Sequence, residues 1–414
     1  MNLFQIFEII SSTLVVITAI CYAYQFIYLI LPFCLKDKPH RAEKENRYAI
    51  LIAARNEEAV LPHLLDSINA QDYPKHLIRT FVVADNCTDR TAELAAAHGA
   101  TVFTRFNQQH VGKGYALDYL ISRIKETEDL SDFDNFLVFD ADNLLEPDYV
   151  RQINRIASDG YEAFSGYRNS KNYGTNWLTA GYGLWYLHEN AHMNLSRMRL
   201  GTCCVVTGTG FGFTRSLLER LGGWKFFTLT EDTEFTTWCA THGIRVGYCH
   251  DAILYDEQPS SLAVSIRQRI RWAQGGLQIS FRYAGDLIRG MMKGGRTAYA
   301  SFEMTTVTLW GYAIGILSAC SVLITAYLDN RWSGVLMTFG IGVLWAYAIF
   351  FLIGVLTLAT EYHQVHSGLR GKLLSLIGFP IFMLTYAPIA IIAPFRKFQW
   401  KPTPHTVSIT TEEL

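Results

Sequence analysis

Near the N-terminus, residues 9–33, "IISSTLVVITAICYAYQFIYLILPF", contain no charged side chain. A helix rises about 1.5 Å per residue, so these residues cover a hydrocarbon layer about 30 Å thick. The competing interpretation is a cleaved signal peptide, but no basic segment precedes the run. Basic residues between 36 and 41 follow it where small cleavage-site residues would be expected. We therefore predict an N-terminal transmembrane helix over residues 1–33.

Three further apolar runs occupy the C-terminal third, at about 303–328, 333–360 and 373–395, separated by the polar joints "DNRW" and "HQVHSGLRGK". They predict about three transmembrane helices within residues 301–396, followed by a tail over 397–414. The chain is therefore expected to be a multi-pass protein of the cell membrane, with the lipid bilayer as a partner.

The basic residues after the first helix place residues 34–300 in the cytosol by the positive-inside rule. Three C-terminal crossings would then leave "RKFQWK" (396–401) outside, against the same rule. Either the last run, which contains Pro380 and Pro388, does not cross once as a plain helix, or the tail is an exception. The sequence leaves both options open.

The charge balance gives no support for nucleic-acid binding, and the cysteine spacing gives none for a cysteine metal site. The chain has 36 basic and 37 acidic side chains, a formal net charge of −1, which gives no indication of nucleic-acid binding. Its 8 cysteines show no CxxC or other metal-type spacing, so we expect reduced thiols that pack as small apolar groups.

From Tyr48 onward, apolar strands alternate with helical patterns. The strand segments are "YAILIAA", "TFVVAD", "TVFTRF" and "NFLVFDAD", and each is followed by a polar turn or a helix. Continuous apolar strands that alternate with helices predict an α/β domain with a Rossmann-like, mainly parallel sheet covered on both faces. Functional residues should lie at the carboxyl ends of these strands.

Polar side chains collect at those ends: Arg55 and Glu57 after the first strand, Asp85 after the second, and Asp140 and Asp142 after the fourth. Strand-end loops are polar in any case and supply helix caps, but this does not explain "FDAD". Two carboxylates one residue apart repel each other at ~4–6 Å unless a cation lies beside them. A divalent cation with oxygen ligands is the simplest explanation, and such an ion usually shares substrate phosphates.

Three other motifs are weaker when taken alone. In "HVGKGYAL", Lys113 lies between two glycines at a helix start, which suits phosphate, although the Walker spacing is missing. "VTGTGFGF" (206–213) indicates a glycine loop that lets a bulky ligand approach the backbone. "TLTEDTEF" supplies Glu231, Asp232 and Glu234, and acids in a first helical turn are also stabilised by the helix dipole alone.

These motifs occur in the order "VVADNCTD", "FDADN", "TGTGFGF", "LTEDTEF" and "QRIRW", between about Tyr48 and Trp272. In this respect the chain resembles the membrane-integrated family 2 glycosyltransferases, the group that contains cellulose, hyaluronan and chitin synthases and nodulation-type chitooligosaccharide synthases. The resemblance implies a GT-A-type fold, a UDP-sugar donor and Mg²⁺ or Mn²⁺ as cofactor.

The resemblance also implies roles for the strand-end residues. Asp85 matches the acid that holds the uridine, with Arg55 and Glu57 in the nearby base-binding loop. Asp140 and Asp142 match the D-x-D pair, whose second member ligates the metal.

The remaining matches lie in the second half of the domain. Asp232 matches the general base of the T-E-D motif, and Glu231, its neighbour in that motif, is assigned to acceptor binding. Gln268, Arg271 and Trp272 match Q-x-x-R-W, with the arginine along the diphosphate and the tryptophan at the acceptor end.

The chemistry agrees with these assignments. The leaving diphosphate gains negative charge, which a cation, the arginines of "RQRIRW" (267–272) and Lys113 would stabilise. A carboxylate such as Asp232, within ~3 Å of the acceptor hydroxyl, can take its proton. A single direct attack inverts the anomeric centre, so an α-linked donor yields a β-linked product.

Two features can be interpreted either as functional or as purely structural. Trp272 could be an interfacial anchor, but its place beside Arg271 favours a platform on which a sugar ring stacks. The stretches 173–199 and 275–292 are amphipathic and could be interfacial helices or ordinary buried ones.

The expected activity is repeated transfer of glucose or N-acetylglucosamine to a growing β-linked polysaccharide. The alternative is a single transfer to a membrane lipid, such as polyprenyl phosphate, diacylglycerol or a sphingoid base. Four spans are few for a channel, which leaves a homo-oligomer or an accessory subunit open. A receptor or transporter would need ionisable residues inside the membrane, for which Glu303 and Glu361 are weak candidates.

Overall fold

The computed structural model describes residues 3–307, 311–329 and 332–396, and the single residues 407, 409, 410 and 413. Most of the predicted tail therefore lies outside the described residues. The described part contains one mixed, mostly parallel sheet flanked by helices, together with long apolar helices. This confirms the predicted fold class.

The strands are β1 Tyr48–Ala54, β2 Ile78–Asp85, β3 Thr101–Arg105, β4 Asn135–Asp140, β5 Leu144–Leu145, β6 Ala163–Ser170, β7 Phe211–Thr214 and β8 Val246–Asp256. The helices are α1 Leu3–Cys34, α2 Leu61–Asn69, α3 Thr91–Ala97, α4 Lys113–Thr127, α5 Tyr149–Ser158, α6 Trp177–His188, α7 Leu195–Leu200, α8 Arg215–Leu221, α9 Glu231–Thr241, α10 Leu262–Met292, α11 Gly295–Thr305, α12 Gly311–Asp329, α13 Trp332–Thr360, α14 Leu369–Leu384 and α15 Tyr386–Ile392. A π-helical segment, Glu189–Asn194, joins α6 to α7.

The sheet has the strand order β3-β2-β1-β4-β7-β6-β8-β5. Strands β3, β2, β1 and β4 are parallel, and β7 enters antiparallel between β4 and β6. Ala53 pairs with Asp140 and Ala54 pairs with Ala84, so β1, β2 and β4 end at the same level. This register brings the polar residues after these three strands to one edge of the sheet.

Both faces of the sheet are buried. Leu51 and Val138 face one layer, where α4 packs, whereas Ile50 and Ile52 face the opposite layer, which α2 and α5 cover. Successive side chains of a strand point to opposite faces, so a strand buried on both faces is apolar throughout. This is why the strands appear in the sequence as continuous apolar runs.

Among the described residues, three helices are long and apolar enough to cross a membrane: 5–34, 332–360 and 369–395. Within the predicted run 303–328, α11 ends at Thr305 and α12 begins at Gly311, and residues 308–310 between them lie outside the described residues. Helix α11 packs on α9 and α10, whereas a single span over the whole run stays a prediction.

The last apolar run, which forms α14 and α15, packs against two helices of the sheet domain. A Cβ on Gly378 would lie 2.4 Å from the carbonyl oxygen of Trp177 on α6, so α14 and α6 are in direct backbone contact. Arg269 of α10 donates to Phe382 O at 3.2 Å, and further along α10 Gln274 donates to Ala393 O at 2.8 Å. Helices α14 and α15 therefore lie along α6 and the first half of α10.

Candidate active site

One cavity of about 630 Å³ opens at the carboxyl ends of β1, β2 and β4. Every candidate residue from the sequence lines it: Arg55, Glu57, Asp85, Lys113, Asp140, Asp142, Glu231, Asp232, Gln268, Arg271 and Trp272. The structure thus brings these eleven side chains together, and their individual roles remain predictions.

At one end of the cavity, Asp85 is buried in an ion pair. Arg105 Nη1 donates to its Oδ1 at 2.6 Å, and the Asn86 amide donates to the same oxygen at 3.1 Å. Arg105 ends β3 and is the register partner of Asp85. Sequence analysis missed Arg105, although its position at the end of the adjacent strand is the signal that could have found it. Asn56 and Asn86 have φ of 57° and 54°, left-handed turns that redirect the chain directly after β1 and β2.

Each of the D-x-D residues, Asp140 and Asp142, is contacted by another part of the chain. Lys113 Nζ donates to Asp140 Oδ1 at 2.5 Å and to Gly208 O at 2.8 Å, so it links the fourth strand to the glycine loop. Asp142 is 3% exposed and accepts the backbone N–H of Glu257 at 3.3 Å. Sequence analysis assigned Lys113 to phosphate alone and did not foresee its contact with Asp140.

A buried ion pair lies behind these residues. Arg168 of β6 donates through Nε to Asp256 Oδ2 at 2.9 Å and also to Thr207 O of the glycine loop. Its guanidinium lies 4.2 Å from the ring centroid of Tyr186. Burial raises the pKa of Asp256 to about 7, against the opposing effect of Arg168. Sequence analysis missed both partners, because they lie 88 positions apart and no motif joins them.

The glycines of "VTGTGFGF" serve two purposes. Gly208 has φ of 95°, and a Cβ there would lie 3.1 Å from Arg168 Nη1 and 3.8 Å from Asp232 Oδ2. A Cβ on Gly210 or Gly212 would come within 2.0 and 2.3 Å of core side chains. Gly208 is therefore the glycine of this loop that borders the cavity, whereas Gly210 and Gly212 are required by packing.

The first turn of α9 carries two acids that face the cavity. Burial raises the pKa of Glu231 to about 7, and burial also raises the pKa of Asp232 against the opposing backbone N–H of Thr233 and the cation Lys113. The third acid, Glu234, is fully buried and accepts the N–H of Thr228 at 2.8 Å. Its role is therefore to hold the loop before α9.

The arginines of "RQRIRW" point in different directions. Arg271 lines the cavity and donates to Leu229 O at 2.7 Å, in the loop before α9. Arg269 is completely buried against α14, and Arg267 is exposed. The expectation that all three serve a diphosphate is therefore wrong, because helical geometry turns only one of them toward the cavity.

Gln268 and Trp272 lie against aromatic side chains of α6. The hydroxyl of Tyr182 donates to Gln268 Oε1 at 3.1 Å, and the Trp272 ring lies 5.9 Å from that of Trp185. Trp272 thus faces an enclosed aromatic cluster as well as the cavity, an arrangement that suits a stacking platform better than an anchor at a bilayer surface.

Beyond these tryptophans the same cavity continues between the apolar helices. We call this part the membrane chamber, and its lining residues are Tyr24, Gln25, His188, Glu189, Met193, Arg197, Val307, Phe350, Ile353, Phe379 and Met383. Its walls come from α1, the π-helical segment, α7, α13 and α14 and are mostly apolar. Sequence analysis did not foresee it.

Comparisons with known proteins agree with this fold. The chain is 27% identical over 243 residues to a β-monoglucosyldiacylglycerol synthase of Synechocystis, covering 55% of this chain and 47% of that protein. It is 24% identical over 289 residues to a poly-β-1,6-N-acetyl-D-glucosamine synthase of Staphylococcus aureus, covering 68% of this chain and 67% of that protein. The chain thus spans about half to two thirds of the length of these curated relatives.

Among solved structures, the mannosyltransferase PcManGT from Pyrobaculum calidifontis, in complex with GDP-Man and Mn²⁺, superposes with a TM-score of 0.60 at 18% identity. The match covers 86% of this chain and 99% of that one, which shows a shared fold. The family described as "Glycosyltransferase like family 2" matches residues 46–275, more than half of the sequence. The chain therefore belongs to glycosyltransferase-like family 2.

Proposed function

We propose that the protein is a membrane-bound, inverting glycosyltransferase that moves one sugar from a UDP-sugar to a lipid acceptor. The single observation that carries this proposal is the continuity of the cavity. Its charged end lies at the strand ends of the sheet, and its other end is the apolar membrane chamber. A donor soluble in water and an acceptor dissolved in the bilayer can therefore meet in one cavity.

The charged end of the cavity is the proposed binding site of the UDP-sugar. Asp85, Arg55 and Glu57 surround the place of the base, and Lys113 and Arg271 supply positive charge for the diphosphate. Preorganised cations stabilise the charge that develops on a leaving group.

Asp140 and Asp142 would hold Mg²⁺ or Mn²⁺. The described residues contain no group of three or more His, Cys, Asp or Glu side chains arranged as metal ligands. The two carboxylates both line the cavity, and hard oxygen ligands of this kind suit an ion that completes its coordination with water and diphosphate oxygens. When bound, such an ion neutralises part of the diphosphate charge.

Asp232 is the general base of the proposal. The acceptor oxygen bonds to the anomeric carbon while the bond from that carbon to the diphosphate breaks, and the hydroxyl proton passes to Asp232. The raised pKa of this carboxyl makes it a stronger base than an ordinary aspartate. Because one attack occurs from the face opposite the leaving group, the product is β-linked.

The membrane chamber favours a lipid over a growing polysaccharide. Side chains such as Phe350, Ile353, Phe379 and Met383 can contact acyl chains but cannot replace the water around a sugar polymer. One relative is named as a synthase of a glucosyldiacylglycerol, which supports the same choice.

Polysaccharide synthesis is the second candidate. The stacked surface of Trp272 and Trp185 next to Gln268 favours it, because successive sugar rings stack on indoles. Another relative is named as a synthase of a β-1,6-linked polymer.

We further propose that α14 and α15 lie in the plane of the membrane surface. Leu369, Leu373, Ile377 and Ile381 form an exposed apolar row at every fourth position, whereas the opposite side packs on α6. Such a helix dips one face into the bilayer without crossing it. Exposed apolar residues of the second half of α10, including Phe281, suit the same interface.

In this arrangement α12, whose described apolar stretch 317–328 is shorter than the three helices named above, crosses the membrane in place of α14 and α15. With α1, α12 and α13 as the crossings, the sheet domain and the C-terminal end lie on the same, cytosolic side. In agreement, the backbone N–H of Val407 donates to Glu257 Oε2 of the domain at 3.1 Å. The basic segment 396–401, of which only Arg396 is described, would then obey the positive-inside rule. A reporter that is active only in the cytosol should be active when fused to the C-terminus, and an inactive fusion would refute this topology.

The function is tested with purified protein in neutral vesicles that contain a small fraction of diacylglycerol. The vesicles are incubated with single UDP-sugars and Mg²⁺ or Mn²⁺, and both UDP release and products are recorded. We expect one labelled glycolipid that carries a single sugar. A soluble or membrane-bound ladder of sugars without that glycolipid would favour the second candidate, and the absence of UDP release with every donor would reject both.

A further inference from the structure

The described walls of the membrane chamber are mostly apolar but carry a charged cluster. Glu189 and Arg197 both line the chamber, and their nearest charged atoms are 3.8 Å apart. Arg197 also donates through Nε to Glu303 Oε1 at 3.2 Å and through Nη1 to Asn194 Oδ1 at 3.2 Å. Charged groups are expensive to bury, and those that lie among apolar helices are candidates for a binding site.

Asn194 links Arg197 to the loop after α7. Its side chain, which accepts from Arg197, also accepts the N–H of Val205 at 2.9 Å and donates to Val205 O at 3.0 Å. The π-helical segment that begins at Glu189 lies directly between α6 and α7, and π-helical turns inside helices are frequent at functional sites.

The charges of the cluster do not favour an anion. One guanidinium faces two carboxylates, and Glu303 Oε2 has no hydrogen-bond partner in the described part of the chain. With both carboxyl groups ionised, the cluster carries no surplus positive charge.

We propose that Glu189 and Arg197 bind the uncharged polar end of the acceptor, a lipid with a free hydroxyl next to an ester or amide carbonyl. This inference rests on the proposed function and narrows its acceptor. The guanidinium of Arg197 donates to the carbonyl, and the carboxylate of Glu189, 3.8 Å from Arg197 Nη1, keeps that guanidinium in place. The lipid hydroxyl itself remains free for Asp232.

A lipid phosphate would fit poorly in the same place. It would be desolvated beside two carboxylates that already share the one arginine, and like charges in a site of low polarity repel strongly. The cluster thus selects diacylglycerol-type or ceramide-type acceptors and rejects polyprenyl phosphate.

The test uses the full chain in phosphatidylcholine vesicles with equal mole fractions of diacylglycerol, ceramide or a polyprenyl phosphate. We expect labelled sugar on one or both neutral lipids and none on the phosphate. Preferred labelling of the polyprenyl phosphate would overturn this inference and leave the proposed function intact. Labelling of soluble oligosaccharide alone would overturn both.

Variants of Glu189 and Arg197 test whether this cluster determines which lipid is used. We expect Glu189→Gln to raise the KM for the lipid about tenfold, because the carboxylate that holds the Arg197 guanidinium in place is lost, with the KM for the UDP-sugar unchanged. Glu93→Gln is the matched control, since Glu93 is exposed and pairs only with Arg90. If Glu189→Gln does not fold, Arg197→Lys is measured in its place. An unchanged KM for the lipid in a folded variant would overturn the inference.

Discussion

The two ends of the cavity are built in different ways. At the charged end, Asp85 and Asp140 are the last residues of two parallel strands, so the sheet places them together. At the membrane chamber, the walls come from three distant parts of the chain: α1, α7, and the consecutive helices α13 and α14. The comparison shows that the charged end depends on the order of strands in one sheet, whereas the membrane chamber depends on the packing of distant helices.

The largest expected effect is on the rate of sugar transfer, when Asp232 at the charged end of the cavity is replaced. Asp232→Asn should lower kcat for sugar transfer by ~10²–10⁴-fold, because the amide cannot take the proton of the acceptor. Affinity for UDP, measured by calorimetry, should stay close to that of the unchanged protein. Full turnover by a folded Asp232→Asn protein would remove Asp232 from the mechanism.

The next prediction compares two arginines of α10, Arg271 and Arg267. Arg271→Ala should lower kcat by ~10²-fold, because a preorganised cation at the leaving group is lost. Arg267→Ala, one helical turn earlier on the exposed side, should leave the rate unchanged. The two variants are compared in the same assay of UDP release, and equal rates would show that Arg271 does not act on the diphosphate.

A change at the membrane end should act on the acceptor alone. Ile353→Trp fills part of the membrane chamber, so the KM for the lipid should rise about tenfold while the KM for the UDP-sugar stays constant. Leu352→Trp, at the neighbouring lipid-exposed position, serves as the control. Equal effects of both variants would mean that the chamber does not bind the acceptor.

The smallest effect is a displacement of the pH profile. Burial raises the pKa of Asp232 above its ordinary value of 3.8, and the base must be ionised to act. The rate kcat/KM should therefore fall as the pH is lowered through a pKa above 3.8, while it is constant at higher pH. An acidic limb at or below 3.8 would contradict the assignment of a buried base.

Sequence reasoning found the cavity residues that lie next to recognisable local patterns. Asp85, Asp140 and Asp142 follow apolar strands, and Arg271 stands in a short motif, so their neighbours mark them. It missed Arg105 and the pair Arg168–Asp256, since each of these is defined by a partner on another strand. Local pattern carries no information on which strands become neighbours when their connections are long.

The sequence by itself determined the alternation of strands and helices, the apolar helices and the set of acids at the strand ends. These features depend on the period of apolar residues and on turns, which are properties of neighbouring residues. Only the tertiary structure decided which arginine faces the cavity, how α14 lies along α6, and that Glu189 and Arg197 meet in an apolar chamber. Such contacts arise because helices that are distant in the chain bury their faces against one another, and no local pattern specifies that partner.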